Sequence, residues 1–273
     1  MSLLYSPFMI NALIGIILGG ITAMITGALS TLRNVHYLSA EVTHSALGGA
    51  AIGALIYSQI EYEPIIFITA TTFSIISSII TGYIVRERGV EATGLAIGVV
   101  LAISLSTYSI VIGTLKAELI IKVNSYLLSD ILLITYSDLM GMTLISFIGL
   151  IVLIAFYKEL IYVCFDMEGA ESLGLKTKIY DYMAFALIGA TGAVLARAMG
   201  ALLIYALAIL PAASSIELSN STSKIFIYTF TISLIAGLAG ILISLTLNLP
   251  TSGTIAATAT TIYILIKMAK KII

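Results

Sequence analysis

Long apolar runs separated by short polar breaks dominate the chain. A helix needs about 20 mainly apolar residues, at ~1.5 Å rise each, to cross a hydrocarbon layer about 30 Å thick. Runs of that length lie near 9–32, 37–57, 64–85, 94–114, 137–157, 181–198, 200–217, 225–247 and 253–268. Their apolar positions are continuous and do not alternate, so the pattern predicts membrane helices and not a β-barrel. Residues 117–135 are shorter and more polar, which predicts a re-entrant or interfacial segment. Arg197 and Gly200 interrupt a single apolar run over 181–217. The expectation is an all-α polytopic integral membrane protein, a bundle of 8–9 transmembrane helices forming one domain over 1–273. A tenth span follows only if 117–135 crosses.

Composition agrees with the pattern. The 273 residues are 60% hydrophobic and 10% charged, against roughly 25% charged in soluble domains, and mean hydropathy is +1.13. Thirteen basic and 14 acidic residues nearly cancel, which gives no sign of a nucleic-acid partner. The single cysteine, Cys164, excludes an intramolecular disulfide framework. No cleavable signal pattern is visible, since the opening residues lack a basic stretch and run into the first span.

Orientation follows the basic residues. With the N-terminus outside and nine alternating spans, Arg33, Arg86, Arg88, Lys158, Lys176, Lys178, Lys224, Lys267, Lys270 and Lys271 fall inside, ten of the thirteen. The C-terminus is then cytoplasmic, the acidic Glu61-Tyr62-Glu63 loop is outside, and the compartment is the cell membrane. Gly15/Gly19, Gly49/Gly53 and Ala236/Gly240 have the small-xxx-small spacing that lets helices approach closely.

Glu41 and His44 stand one turn apart within the apolar stretch Val35–Tyr57. Positions i and i+3 share a helix face, and ionisable groups at membrane depth cost several kcal/mol, roughly 2.5–3.5 on insertion scales, so such a pair is a functional-site candidate. A carboxylate beside a neutral imidazole suits a borderline divalent ion such as Zn²⁺, Mn²⁺ or Fe²⁺. The same pair equally describes a hydrogen bond locking two helices, or a proton relay. His36 follows Arg33 and Asn34 and reads as interfacial.

The largest polar break, residues 157–181, holds a second candidate. Asp166 reads as an N-cap, Glu168 lies in the first turn, and Gly174 after Leu173 reads as the stop. A helix of about seven residues results, either an amphipathic connector or a docking surface for a cytosolic partner. Arg197 is a candidate pathway residue, and Pro211 should bend its helix, with Ser214 and Ser215 placed to satisfy freed carbonyls. No phosphate-cradling GxxxxGK[ST] loop, GxSxG elbow or HExxH motif occurs. Energy must therefore come from an ion gradient or another subunit, and no enzyme activity is expected of this chain.

Three segments together resemble the permease subunits of metal-uptake ABC transporters: AEVTHSALGGAAIGALI (40–56), FYKELIYVCFDMEGAESLGL (156–175), and ARAMGALLIYALAILPAAS (196–214) with LNLPTSGTI (247–255). That family usually places Asp four residues before its histidine. Here Ala40 occupies that position, the acid stands at Glu41, and Gly48-Gly49 replaces Pro-Gly. The resemblance implies a permease homodimer in membrane lipid with cytosolic ABC ATPase subunits, fed by an extracellular or periplasmic metal-binding protein. It implies that Glu41 and His44 contact a transported zinc, manganese or iron ion, with no permanently bound cofactor. Asp166, Glu168, Ala170, Leu173 and Gly174 would belong to the ATPase-coupling helix. Competing expectations are a permease for a metal chelate or cobalamin, a proton-coupled secondary transporter, and an intramembrane metallo-hydrolase. With only His36 and His44 as histidines, the last lacks a second ligand-bearing motif.

Overall fold

The computed structural model describes residues 7–272. Its order is α1 (Pro7–Leu32), α2 (Leu38–Ile60), α3 (Pro64–Arg88), α4 (Thr93–Ile112), α5 (Ala117–Leu128), α6 (Tyr136–Ala155), α7 (Tyr157–Phe165), α8 (Met167–Ser172), α9 (Thr177–Met199), α10 (Ala201–Ile204), a π-helical turn (Tyr205–Ile209), α11 (Leu210–Leu218), α12 (Thr222–Leu247) and α13 (Thr251–Ile272). No strand occurs among the described residues. Among the described residues, eight helices are long and apolar enough to cross a membrane, with Ala201–Leu218 counting as one. The 23-residue α2 is long enough but outside that set. At 12 residues, α5 extends about 18 Å and falls short of the hydrocarbon thickness, as its polarity predicts.

Local chemistry sets the boundaries. Thr135 and Asp138 form a reciprocal capping box that starts α6. Pro64 opens α3, where a missing N–H costs nothing. Gly200, at φ +80°, turns the chain between α9 and α10 in a conformation that disfavours other residues. The interrupted run 181–217 thus becomes two spans.

In lipid the hydrophobic effect does not drive helices together, so close packing and internal hydrogen bonds must. The central element is α2, which packs against α3, α4, α5 and α9. Fourteen of its 23 residues are buried, whereas only 22% of the apolar window of α4 and 17% of that of α13 are enclosed. Being wrapped in protein is what lets α2 hold Glu41, His44 and several serines and threonines inside the bundle. Its glycines permit the wrap: an added Cβ at Gly49 would stand 2.6 Å from Phe73 Cβ and the Thr69 carbonyl, and one at Gly48 would stand 2.8 Å from the Ser104 carbonyl.

Pro211 acts differently from expectation in one detail. Ser214 and Ser215 donate to the Leu210 and Ala212 carbonyls of their own helix. Proline removes the donor that would meet the Leu207 carbonyl, and Ser233 of α12 fills that role. Across the π turn, Gly27 of α1 leaves room for the Ala208 carbonyl.

The ends of the bundle differ in charge. Contacts of Asp181 with Arg33 and Arg86, of Tyr157 with Thr222, and of Glu217 with Lys270 mark one basic end. Lys122–Glu63 and Arg197–Asp138 mark the other. Gly49→Val should lower stability by about 1–3 kcal/mol through overpacking. In detergent, its thermal midpoint should drop while Gly94→Ala, with open space around it, stays at the parent value.

Candidate functional site

Glu41 lies in the first turn of α2 and is fully buried. Its carboxylate faces α3, where the Thr81 hydroxyl donates to Oε2 at 2.5 Å. Oε1 has no hydrogen-bond partner. One turn on, Ser45 shares a hydrogen bond of 2.9 Å with Ser104 of α4, so a polar seam runs from α3 across α2 to α4. Ser78, one turn before Thr81, also has a buried hydroxyl without a partner. An enclosed acceptor left unsatisfied costs about 1–3 kcal/mol, more if charged. The seam is therefore suited to a cation or a proton.

His44 is half-buried on a different line of the same helix, and its Nδ1 is enclosed without a partner. Tyr37, His44 and Leu55 share one face, on which Tyr37 is 73% and Leu55 36% exposed. Between His44 and Leu55 the same line carries the buried Gly48 and Ala51, so the imidazole stands at a partly open position near the start of an otherwise wrapped helix. Among the described residues no three His, Cys, Asp or Glu side chains converge on one point. Glu41 and His44 can supply two ligands at most, and hydroxyls, water or another chain would have to complete a shell. His36, between α1 and α2, is half-buried, and burial holds its pKa below the usual imidazole value.

At the basic end, α8 spans six residues, one fewer than expected. The Asp166 carboxylate accepts from the Gly169 N–H at 2.8 Å, and Gly174 at φ +82° ends the turn while the Leu175 N–H reaches the Ala170 carbonyl. Ala170 is buried against the body, whereas Asp166, Glu168, Leu173 and Gly174 are exposed. With Phe165 62% and Leu173 72% exposed, α8 presents an acidic and apolar surface outward. Cys164 beside it is half-buried, and burial pushes its thiol up to about 12.

Sequence reading missed what stands behind α8. Arg86, in the last turn of α3, donates to Glu171 at 2.6 Å, to Thr177 at 2.8 Å and to the Met167 sulfur at 3.0 Å. The Thr177 hydroxyl also donates to Glu171, and this bond, followed by that from Arg86, holds the Glu171 carboxyl below its usual value. Arg33 donates to the fully buried Asp181 at 2.9 Å. Along the sequence these charges indicate only orientation. Their spacing at the ends of three apolar runs was the available signal, but pairing across spans is invisible along one sequence.

Arg197 occupies the opposite end. It pairs with Asp138 at 3.1 Å, donates to Ser125 at 3.2 Å and covers the Tyr126 ring at 5.1 Å. Its guanidinium ties α5 and α6 to the end of α9.

A model of the ABC 3 transport family matches residues 5–270. The chain is 27% identical over 259 residues to the manganese import system permease protein ScaB of Streptococcus parasanguinis, covering 94% of this chain and 89% of that protein. It is 26% identical over 232 residues to the high-affinity zinc uptake system membrane protein ZnuB of Haemophilus influenzae, covering 85% of each. The solved structure of PsaBC from Streptococcus pneumoniae in complex with Fab contains a chain that superposes with a TM-score of 0.80. That match has 25% identity and covers 97% of this chain and 92% of that one.

The buried pair at the basic end gives a direct stability test. Asp181→Ala leaves the Arg33 guanidinium without its carboxylate, and breaking such a pair costs about 3–5 kcal/mol. A cysteine-accessibility or thermal-shift assay in detergent should register this loss. Equal stability of variant and parent would show that the pair adds nothing.

Proposed function

The chain belongs to the ABC 3 transport family, and from that premise we propose that it is the permease of an ATP-driven importer of manganese or zinc ions. As the membrane subunit it carries the path, while ATP hydrolysis resides in a separate protein. The observation that carries the ion assignment is the Glu41 carboxylate, enclosed in protein at α2 with one oxygen unbonded, one turn from a half-buried imidazole. Oxygen and imidazole nitrogen suit these borderline cations. Two ligands without a third also suit a path, since a closed shell would not release its ion.

A second copy of the chain would complete the shell. The half-buried His44 of α2 would face that copy, and the ion would pass between two such helices. Glu41 stands deeper, against Thr81, and would receive the ion or tune the charge of the seam.

The basic end faces the cytosol in this reading, because ten of thirteen Lys and Arg positions lie there. The N-terminus is then outside, and a metal-binding protein outside the membrane delivers the ion near Glu61 and Glu63. Residues 166–174 meet the ATPase subunits: Glu168 and Leu173 by their exposed side chains, Asp166 and Gly174 by shaping the turn, Ala170 by anchoring it. ATP binding and hydrolysis move this segment and switch the bundle between outward and inward access. Arg197, clamped by Asp138, steadies the outer end of the path.

Replacing His44 with Ala in the assembled transporter tests the path. Uptake of Mn²⁺ or Zn²⁺ into proteoliposomes should fall on the order of tenfold or more, the equivalent of about 1.4 kcal/mol. Full uptake by that variant would remove the imidazole from the path. Uptake by this chain alone, driven by a proton gradient, would overturn the ABC assignment.

A further inference from the structure

Arg86 sits between two carboxylates in different surroundings. On one side it reaches Glu171 of α8 at 2.6 Å, whose side chain is 53% exposed. On the other, its Nη1 stands 3.8 Å from Oδ2 of Asp181, whose side chain is fully buried. That distance is an ion pair without a hydrogen bond, and Oδ2 is a buried acceptor with no bonded partner. Asp181 Oδ1 is already taken by Arg33. The Arg86 side chain is only 10% exposed, so its charge is poorly screened and its choice of partner matters.

We propose that Arg86 is the positioning residue that couples α8 to the ion path by exchanging between Glu171 and Asp181. This rests on the reading of α8 as the ATPase-facing helix. With α8 seated, Arg86 holds Glu171, Thr177 and Met167. When α8 is displaced, the guanidinium closes onto Oδ2 and satisfies the orphaned oxygen. Each arrangement supplies hydrogen bonds that the other lacks, which is the requirement for a two-state element.

The link to the ion needs no loop. Arg86 and Thr81 belong to the same helix, α3, five residues or about 7.5 Å of rise apart, and Thr81 is the donor to Glu41. A rotation or shift of the last turn of α3 therefore reaches the buried carboxylate along hydrogen-bonded backbone. The two termini of α8 are turns at Asp166 and Gly174, which can move without disturbing a span.

The test uses the complete transporter with its ATPase subunits, reading metal ions imported per ATP hydrolysed together with ATPase co-purification. Glu171→Gln keeps the shape and removes the charge, and should lower the import-to-hydrolysis ratio at least ~5-fold, the low end of coupling free energies. Glu171→Asp should recover at least about half of the parent ratio, since the pair to Arg86 is restored. The double variant Arg86→Gln/Glu171→Gln should be no worse than Arg86→Gln alone, because both changes break one link. A parental ratio in Glu171→Gln, or additive losses in the double variant, would overturn the proposal. So would loss of ATPase co-purification, which would assign Glu171 to docking. Failure of the broader reading looks different: the unmodified complex would import no metal.

Discussion

Membrane depth offers no water to a polar side chain, so every carboxylate, imidazole and guanidinium there must be enclosed or paired by protein. The whole structure is arranged around one application of that constraint. Helix α2 carries Glu41, His44 and a run of serines, threonines and glycines, and it would be a poor span facing lipid. Its neighbours α3, α4, α5 and α9 cover it, and glycines at 48, 49 and 53 bring those neighbours close enough to do so. The apolar helices α4 and α13 are spent on the lipid-facing perimeter.

The same constraint organises the basic end. Arg33, Arg86 and Asp181 lie at the ends of three different spans, where Arg33 and Asp181 are buried and the Arg86 side chain is only 10% exposed. A single carboxylate faces two guanidiniums, one bonded and one held just outside bonding distance. Such an arrangement stabilises the joint less than two full pairs would, yet it leaves a partner free for α8. Stability and mobility are thus set by the same three charges. At the opposite end, Arg197 has no comparable choice, being fixed by Asp138, Ser125 and Tyr126.

Spans were legible in the sequence because hydrocarbon thickness sets a length that apolar runs either reach or miss. Among the described residues, eight helices, the short α5 and the turn at Gly200 follow from that rule, whereas α2 reaches the length without the apolarity. Asp166 and Gly174 were legible because caps are local chemistry within a few residues. Glu41 and His44 stood out by their cost. What the chain could not reveal is which side chains meet across helices. The sequence places Glu41 and His44 one turn apart but does not show that Thr81 on α3 donates to the Glu41 carboxylate while His44 is only half-buried. Ser233 relieves the carbonyl freed by Pro211 from another helix, although Ser214 and Ser215 were nearer in sequence. The Arg86 cluster was counted for its charge and not for its geometry.

The central claim is that the half-buried imidazole of His44 on α2 touches the transported ion. Pulsed electron paramagnetic resonance of Mn²⁺ trapped in the assembled transporter measures this directly, through nitrogen coupling to the metal. The chain has only two histidines, so the source can be assigned by replacing each in turn. A nitrogen coupling that persists in His36→Gln and vanishes in His44→Gln is the predicted result. A bound Mn²⁺ whose nitrogen coupling is the same in His44→Gln as in the parent, or that shows oxygen ligands alone, would contradict the account.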